Sequence, residues 1–262
     1  MPNSTRNQYV REHLTILLRN EAYAFGIFRK SLFSAYNRAG QIYESGAGTD
    51  GIKTILRSLP EELYYNLVAV YKKAIPEYGR FILSGIKTDK KIETLEFKDS
   101  TTKPDSFFVD LSVEWILQEG LKRSRLIDQT VVDDINNIIE GGIRNGLSIP
   151  DISKSIRNSA SDLSRFRSNT IAITEVHNAS MFASVESAKA TGLNLVKEWA
   201  STEDSRVRPT HQAADGQQRD MNEKFSVGGA LMDRPGDPMG PPQETINCRC
   251  TLLYKEKDYN FN

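Results

Sequence analysis

Two cysteines separated by one residue, Cys248 and Cys250, and three histidines, His13, His177 and His211, are the side chains of this 262-residue sequence best suited to hold a metal or a proton. A Cys-x-Cys pair is too close for an ordinary loop-closing disulfide, so both thiols are expected to be reduced. Residues two apart on a strand face the same side. Both sulfurs could therefore meet His211 if a turn brings it over, and that makes three zinc ligands. The sequence does not fix a fourth: His177 and Asp204 are the candidates, and the usual paired Cys-x2-Cys spacing is lacking. The simpler expectation is that the cysteines are small buried residues pinning a terminal strand, with no cofactor and with structural zinc as the alternative.

Acid–base chemistry can be written with the same residues. His211 would be the general base, Glu175 or Asp215 its partner, and Arg206 or Arg208 the cation that neutralises a phosphate, as in metal-independent RNA cleavage by a nuclease- or toxin-like domain. The histidines are few, however, and neither a paired-carboxylate metal motif nor a glycine-rich phosphate loop is found. The preferred reading is non-enzymatic. Asp204, Arg206 and Arg208 then act as staples through charge-assisted hydrogen bonds in a loop-rich region. Asp215-Gly216 is a turn, the aspartate bonding nearby backbone while glycine takes positive φ.

The elements that must position these residues follow from apolar spacing. Leu14, Leu17, Leu18, Phe25, Phe28 and Leu32 recur at helical intervals and predict a long amphipathic helix over 6–43, ended by the glycines of 46–51. A second helix is expected from Pro60-Glu61-Glu62, with Leu63, Leu67, Val70 and Tyr71 on one face and a kink or break at Pro76. Residues 87–110 read as a polar connector with room for a short hairpin. Helical spacing resumes at Leu111 and runs past Ile139 to Gly141-Gly142 or Gly146. Ser148, Pro150 and Asp151 mark another helix start, and a helix over 162–190 ending at Gly192 forms the spine of the last domain. Strand-like pieces at 195–199 and 251–254 flank a turn-rich region holding Gly228-Gly229, Pro235-Gly236-Asp237-Pro238 and Pro241-Pro242. The expected class is α+β: a helical N-terminal part, then a small α+β C-terminal domain with a long helix, short strands and long turn-rich loops. The expected division is 1–110 helical, 111–160 a helical connector, and 161–262 the last domain. Trp115 and Trp199 read as core anchors.

Charge sets limits on partners. Lys+Arg and Asp+Glu balance at 34 each, so no net field draws the chain to DNA or an anionic membrane, and any DNA contact must be local. The one basic block, Lys122-Arg123-Ser124-Arg125, is diluted by Asp128, Asp133 and Asp134 and reads as a solvated helix face. The first residues lack a secretory apolar run, and no stretch approaches the ~20 residues that span a bilayer, so the expectation is a chain cytosolic when made.

The ordered set Thr174-Glu175, Trp199, Asp204-x-Arg206-x-Arg208-x-x-His211, Asp215-Gly216, Pro235-Gly236-Asp237-Pro238 and Asn247-Cys248-Arg249-Cys250 resembles the Mu F-like head-morphogenesis family of tailed bacteriophages. The resemblance covers about a third of the chain, and its strength lies in the order of the motifs. It implies that 161–262 is a Mu F-like domain and that the protein is a minor head protein acting in capsid assembly. It also implies a place inside the capsid near the portal vertex, reached from the host cytoplasm during assembly, and a link to DNA packaging or ejection. The aromatic-rich N-terminal helices (Tyr9, Tyr23, Phe25, Phe28, Phe33, Tyr36) are expected to bundle together or else to pack against a partner, and the partners the resemblance implies are the portal protein and a major capsid or scaffolding protein.

Overall fold

The computed structural model describes residues 3–86, 104–202 and 204–257. Among the described residues the elements up to residue 190 are helical, and short antiparallel strands follow, which is the α+β class in the expected order. The helices are α1 (Asn3–Glu44), α2 (Gly48–Leu56), α3 (Leu59–Gly85), α4 (Pro104–Trp115), α5 (Leu121–Arg144) and α6 (Ile149–Ala190), with a π-helical stretch at Ile116–Gly120 joining α4 to α5. The C-terminal elements are β1 (Leu195–Ala200), α7 (Pro209–Ala214), β2 (Gln218–Asp220), β3 (Phe225–Val227), β4 (Ala230–Met232), α8 (Pro242–Thr245) and β5 (Thr251–Glu256).

Local chemistry accounts for most boundaries. Along α1 the buried stripe is His13, Leu17, Asn20, Ala24, Phe28, Leu32 and Tyr36, whereas Leu18 points away and is 55% exposed. Gly46 at φ +83° closes α1, and α2 then starts at Gly48 and buries Ile52 and Leu56. This short helix was not expected, because glycines at 46, 48 and 51 read as a loop. Helix α3 continues through Pro76, so of the expected kink or break the break does not occur. Tyr71, Ala74, Ile75, Tyr78 and Ile82 are all buried around it, and this apolar face outweighs the one backbone hydrogen bond that proline removes. Helix α4 begins at Pro104, earlier than Leu111; the remainder of the expected connector and its hairpin lies outside the described residues. Ser148 opens α6 by accepting the Asp151 N–H at 3.3 Å, and the helix runs 42 residues to the Gly192 turn (φ +66°), absorbing the break expected before 162.

Packing groups the described residues into two compact units: those within Met1–Asn20, Tyr71–Trp115 and Ile173–Asn262 form one, and those within Glu21–Val70 and Ile116–Ala172 the other. The second unit is helical among its described residues. Phe28, Leu32, Leu63, Leu67, Ile127, Val131, Ile135 and Ile156 are buried in it. Within it Tyr36 donates to Asp134 Oδ2 at 2.7 Å while Arg167 holds the same carboxylate bidentately at 2.9 and 2.6 Å.

The first unit contains the sheet β2-β1-β5, antiparallel throughout, with Trp199 paired to Leu252 and Ala200 to Thr251. β1, the central strand, is buried along almost its whole length. Trp115 stacks on Phe182 with 4.7 Å between ring centroids, and Trp199 stands edge-on to Phe225. β3 and β4 form a separate hairpin over Gly228-Gly229, both at positive φ. Among the described residues no helix is long and apolar enough to cross a membrane.

Candidate functional site

The sequence elements singled out above meet around the segment 247–251. Neither cysteine lies on β5, which starts at Thr251; Asn247-Cys248-Arg249-Cys250 is an irregular lead-in to the strand. Asn247 takes φ +58°, a left-handed conformation that asparagine tolerates better than most residues, and its N–H is received by Thr174 Oγ1 at 3.1 Å. Even so, the two sulfurs converge as i, i+2 spacing suggested they would.

All three histidines hold this segment. His13 donates from Nε2 to the Arg249 carbonyl at 3.0 Å, and His177 donates from Nε2 to the Cys250 carbonyl at 2.8 Å. The other ring nitrogen of His13 lies 2.5 Å from the Tyr78 hydroxyl, which in turn contacts Thr251 Oγ1 at 3.1 Å. Burial pushes the His13 pKa down to about 3, with the Arg249 carbonyl only partly opposing it, so the ring is neutral and fully engaged. His13 carried no motif, and only its burial on α1 reveals its role.

His211 approaches from α7. Arg208 precedes that helix in extended conformation, Pro209 occupies its first turn, and the Arg208 guanidinium donates to the Ile246 carbonyl, tying α7 to the end of α8. The buried His211 ring points Nδ1 at both thiols, 3.3 Å from Cys250 Sγ and 3.7 Å from Cys248 Sγ. Nε2 lies 3.0 Å from Glu244 Oε2, outside the alignment of a hydrogen bond. Glu244 is buried as well and accepts from Thr210 Oγ1 at 2.8 Å. Trp199 stands edge-on to the imidazole at 5.5 Å between centroids. Glu244 is the partner that sequence reasoning missed; a lone glutamate after two prolines gives no signal.

Electrostatics in this cluster are set by burial and by neighbours. Burial alone would raise the Cys248 thiol, but hydrogen bonding from Cys250 together with His177 and His211 draws it well below the ordinary thiol value. Cys250 goes the other way, raised first by its bond to Cys248 and then by burial. Burial lowers His211, and its bond to Cys248, the Cys248 charge and Glu244 together outweigh that and raise it.

The remaining motif residues frame the cluster. Asp204 accepts the Arg206 backbone N–H at 2.9 Å and its guanidinium at 3.1 and 2.5 Å, which holds the Asp204 carboxyl below its ordinary value. Asp215 accepts the Ser201 N–H at 2.6 Å and Arg6 at 2.5 Å, while Gly216 takes φ +76° and donates to the Trp199 carbonyl at 2.9 Å. Glu175 receives the Tyr71 hydroxyl at 2.7 Å within the helical packing. The Pro-Gly-Asp-Pro loop is locked by buried Asp237, which accepts from the N–H groups of Asp233 at 2.8 Å and Met239 at 3.0 Å. Gly236 (φ +67°) lies so close to α6 that an added Cβ would fall 2.5 Å from Asn178 Oδ1 and 2.6 Å from His177 Nδ1. Lys197 crosses beneath this loop, donating to the Asp233 carbonyl at 2.8 Å with its ammonium 5.2 Å from the centre of the Phe225 ring. A cleft of about 30 Å³ opens beside the cluster, lined among others by Thr202, Asp204, Arg208, Asn247 and Cys250.

Comparison with known proteins places this arrangement. Residues 133–253 match the family model described as Phage Mu protein F like protein. A protein of Enterococcus faecalis (strain ATCC 700802 / V583) named NAD(+)--arginine ADP-ribosyltransferase EFV is 33% identical over 129 residues, 48% of this chain and 26% of that protein. The minor head protein GP7 of Bacillus phage SPP1 is 31% identical over 137 residues, 50% of this chain and 44% of that protein. The uncharacterized protein YqbB of Bacillus subtilis (strain 168) is 28% identical over 145 residues, 54% and 47% of the two chains. The chain thus spans less than half the length of each of these relatives. No solved structure matches it significantly.

Proposed function

Because residues 133–253 belong to the Phage Mu protein F like family, we propose that the protein is a bacteriophage minor head protein that acts in head morphogenesis by binding rather than by catalysis. The observation that carries this reading is the ordered match to that family together with the likeness to a phage minor head protein. The geometry supports it. The motif residues are spent on internal bonds: Asp204 on Arg206, Arg208 on the Ile246 carbonyl, Asp215 on Ser201 and Arg6, and Glu175 on Tyr71. Groups bonded in this way build a rigid loop-bearing body suited to holding a place in an assembly.

In this reading the chain sits inside the capsid near the portal vertex and is recruited there from the host cytoplasm. The portal protein is its main partner, with a major capsid or scaffolding protein as a second, and the contact serves DNA packaging or ejection. The aromatic-rich α1 supplies docking surface, for Tyr23 and Phe33 are 41% and 45% exposed on it. The ADP-ribosyltransferase name belongs to a protein of which this chain matches 26%.

The test is co-purification: tagged full-length protein and portal rings expressed together should co-elute, and His211→Ala particles should show an assembly defect. Portal rings free of the chain would refute the portal contact. Normal infectivity of His211→Ala phage, with a wild-type nucleic-acid cleavage lost in the variant, would replace binding with nuclease activity.

A further inference from the structure

His211 Nδ1, Cys248 Sγ and Cys250 Sγ lie within 4.8 Å of one another around a common point, and all three residues are buried. A tetrahedral zinc ion with Zn–N near 2.0 Å and Zn–S near 2.3 Å sets nitrogen and sulfur about 3.5 Å apart. The separations in the structure, 3.3 and 3.7 Å, bracket that edge. Hydrogen bonding alone would call for one sulfur opposite Nδ1, yet two are presented. Behind the ring, the buried Glu244 carboxylate lies 3.0 Å from Nε2 and is itself fixed by Thr210. Although the pair is not aligned as a hydrogen bond here, a carboxylate at that distance favours by its charge the tautomer protonated at Nε2, which leaves Nδ1 free to ligate.

We infer that His211, Cys248 and Cys250 bind one zinc ion through Nδ1 and the two sulfurs, with Glu244 as the carboxylate behind the histidine. A set of one imidazole and two thiolates suits zinc rather than magnesium or calcium, which take oxygen donors. The small cleft of about 30 Å³ beside the cluster is lined by His211 and Cys250 among others and exceeds the ~10–15 Å³ of probe-occupied volume that one water needs, so a water is the ligand this assignment expects in the fourth position. His177 does not supply the fourth ligand through Nε2, which is engaged by the Cys250 carbonyl, and Asp204 is held by Arg206. On binding, each thiol still protonated releases its proton to solvent as its sulfur ligates the metal. The ion would join α7 to the lead-in of β5, segments 37 and 39 residues apart in the chain.

The test uses the full chain, titrated with zinc and then with cobalt as a spectroscopic substitute, and it does not depend on the head-assembly reading. Expected are about one zinc per chain, and with cobalt a thiolate-to-metal charge-transfer band and the strong visible absorption of a tetrahedral site. Cys248→Ser and Cys250→Ser should each weaken that band, while Glu244→Gln should keep the stoichiometry and lower affinity by about 10–100-fold. If the serine variants fail to fold, titration of the wild-type chain still decides. Folded wild-type protein that takes up no zinc, or a Cys248→Ser/Cys250→Ser double variant that binds as tightly as wild type, would overturn the assignment.

Discussion

At the scale of single residues, the backbone of 247–251 is received by side chains whose only common property in sequence is that they are polar and fall on apolar helix faces. Gly236 is the tightest point of approach in the neighbouring loop. Ala there must take φ +67° and drive its methyl into His177 and Asn178. The left-handed conformation and the overpacking together should cost about 2–4 kcal/mol, measurable as a lower urea midpoint at unchanged slope. Lys197 gives a pH signature. Burial, with Lys189 and Arg234 nearby, outweighs Asp233 and Asp237 and lowers its pKa from 10.5 to about 8. Between those values the unfolded chain binds the extra proton, so stability rises with pH across the window and the penalty is complete below it. Lys197→Met should abolish that rise when urea stability is compared at about pH 7.5 and pH 9.5, and an unchanged rise would mean that another group produces it. His211, Cys248 and Cys250 were legible as a cluster because their types are rare in the chain. His13, Glu244 and Lys197 were not, since a buried polar residue reveals itself only by what it faces after folding.

At the scale of elements, the periodic segments were legible and the exceptions have physical causes. Helix α1, strands β1 and β5, and the turns at Gly46 and Gly192 appear close to where apolar spacing and glycine placed them. Helix α2 was hidden by its glycines, and the length of α6 by the serine-rich stretch before 162. Pro76 is the sharpest case: local propensity favours a break, while buried Ala74, Ile75 and Tyr78 hold the helix together. Pro76→Ala should therefore restore a backbone hydrogen bond and stabilise the fold by about 1–2 kcal/mol, after allowance for the greater freedom of the unfolded chain. A destabilised variant would show that the proline ring itself fills space the helix needs. In the helical unit, Tyr36→Phe removes the neutral donor to Asp134 but leaves Arg167 in place. The expected loss is about 1.5 kcal/mol by thermal or urea denaturation, and no loss would mean that Arg167 alone satisfies the carboxylate.

At the scale of the whole molecule, the charge balance and the packing of the motif residues point the same way. No net field draws the chain to nucleic acid, and the residues that looked reactive in sequence are bonded to one another or to backbone. The proposed function accordingly rests on surface, in a chain whose residues 133–253 match the family model described as Phage Mu protein F like protein. The most direct measurement of the central claim is quantitative mass spectrometry of purified phage particles, immature and DNA-filled, from cells that produce this chain. A minor head protein must be present in the immature heads at a small fraction of the major capsid subunit's abundance. Its absence from both kinds of particle, with the chain plentiful in the lysate, would contradict the account.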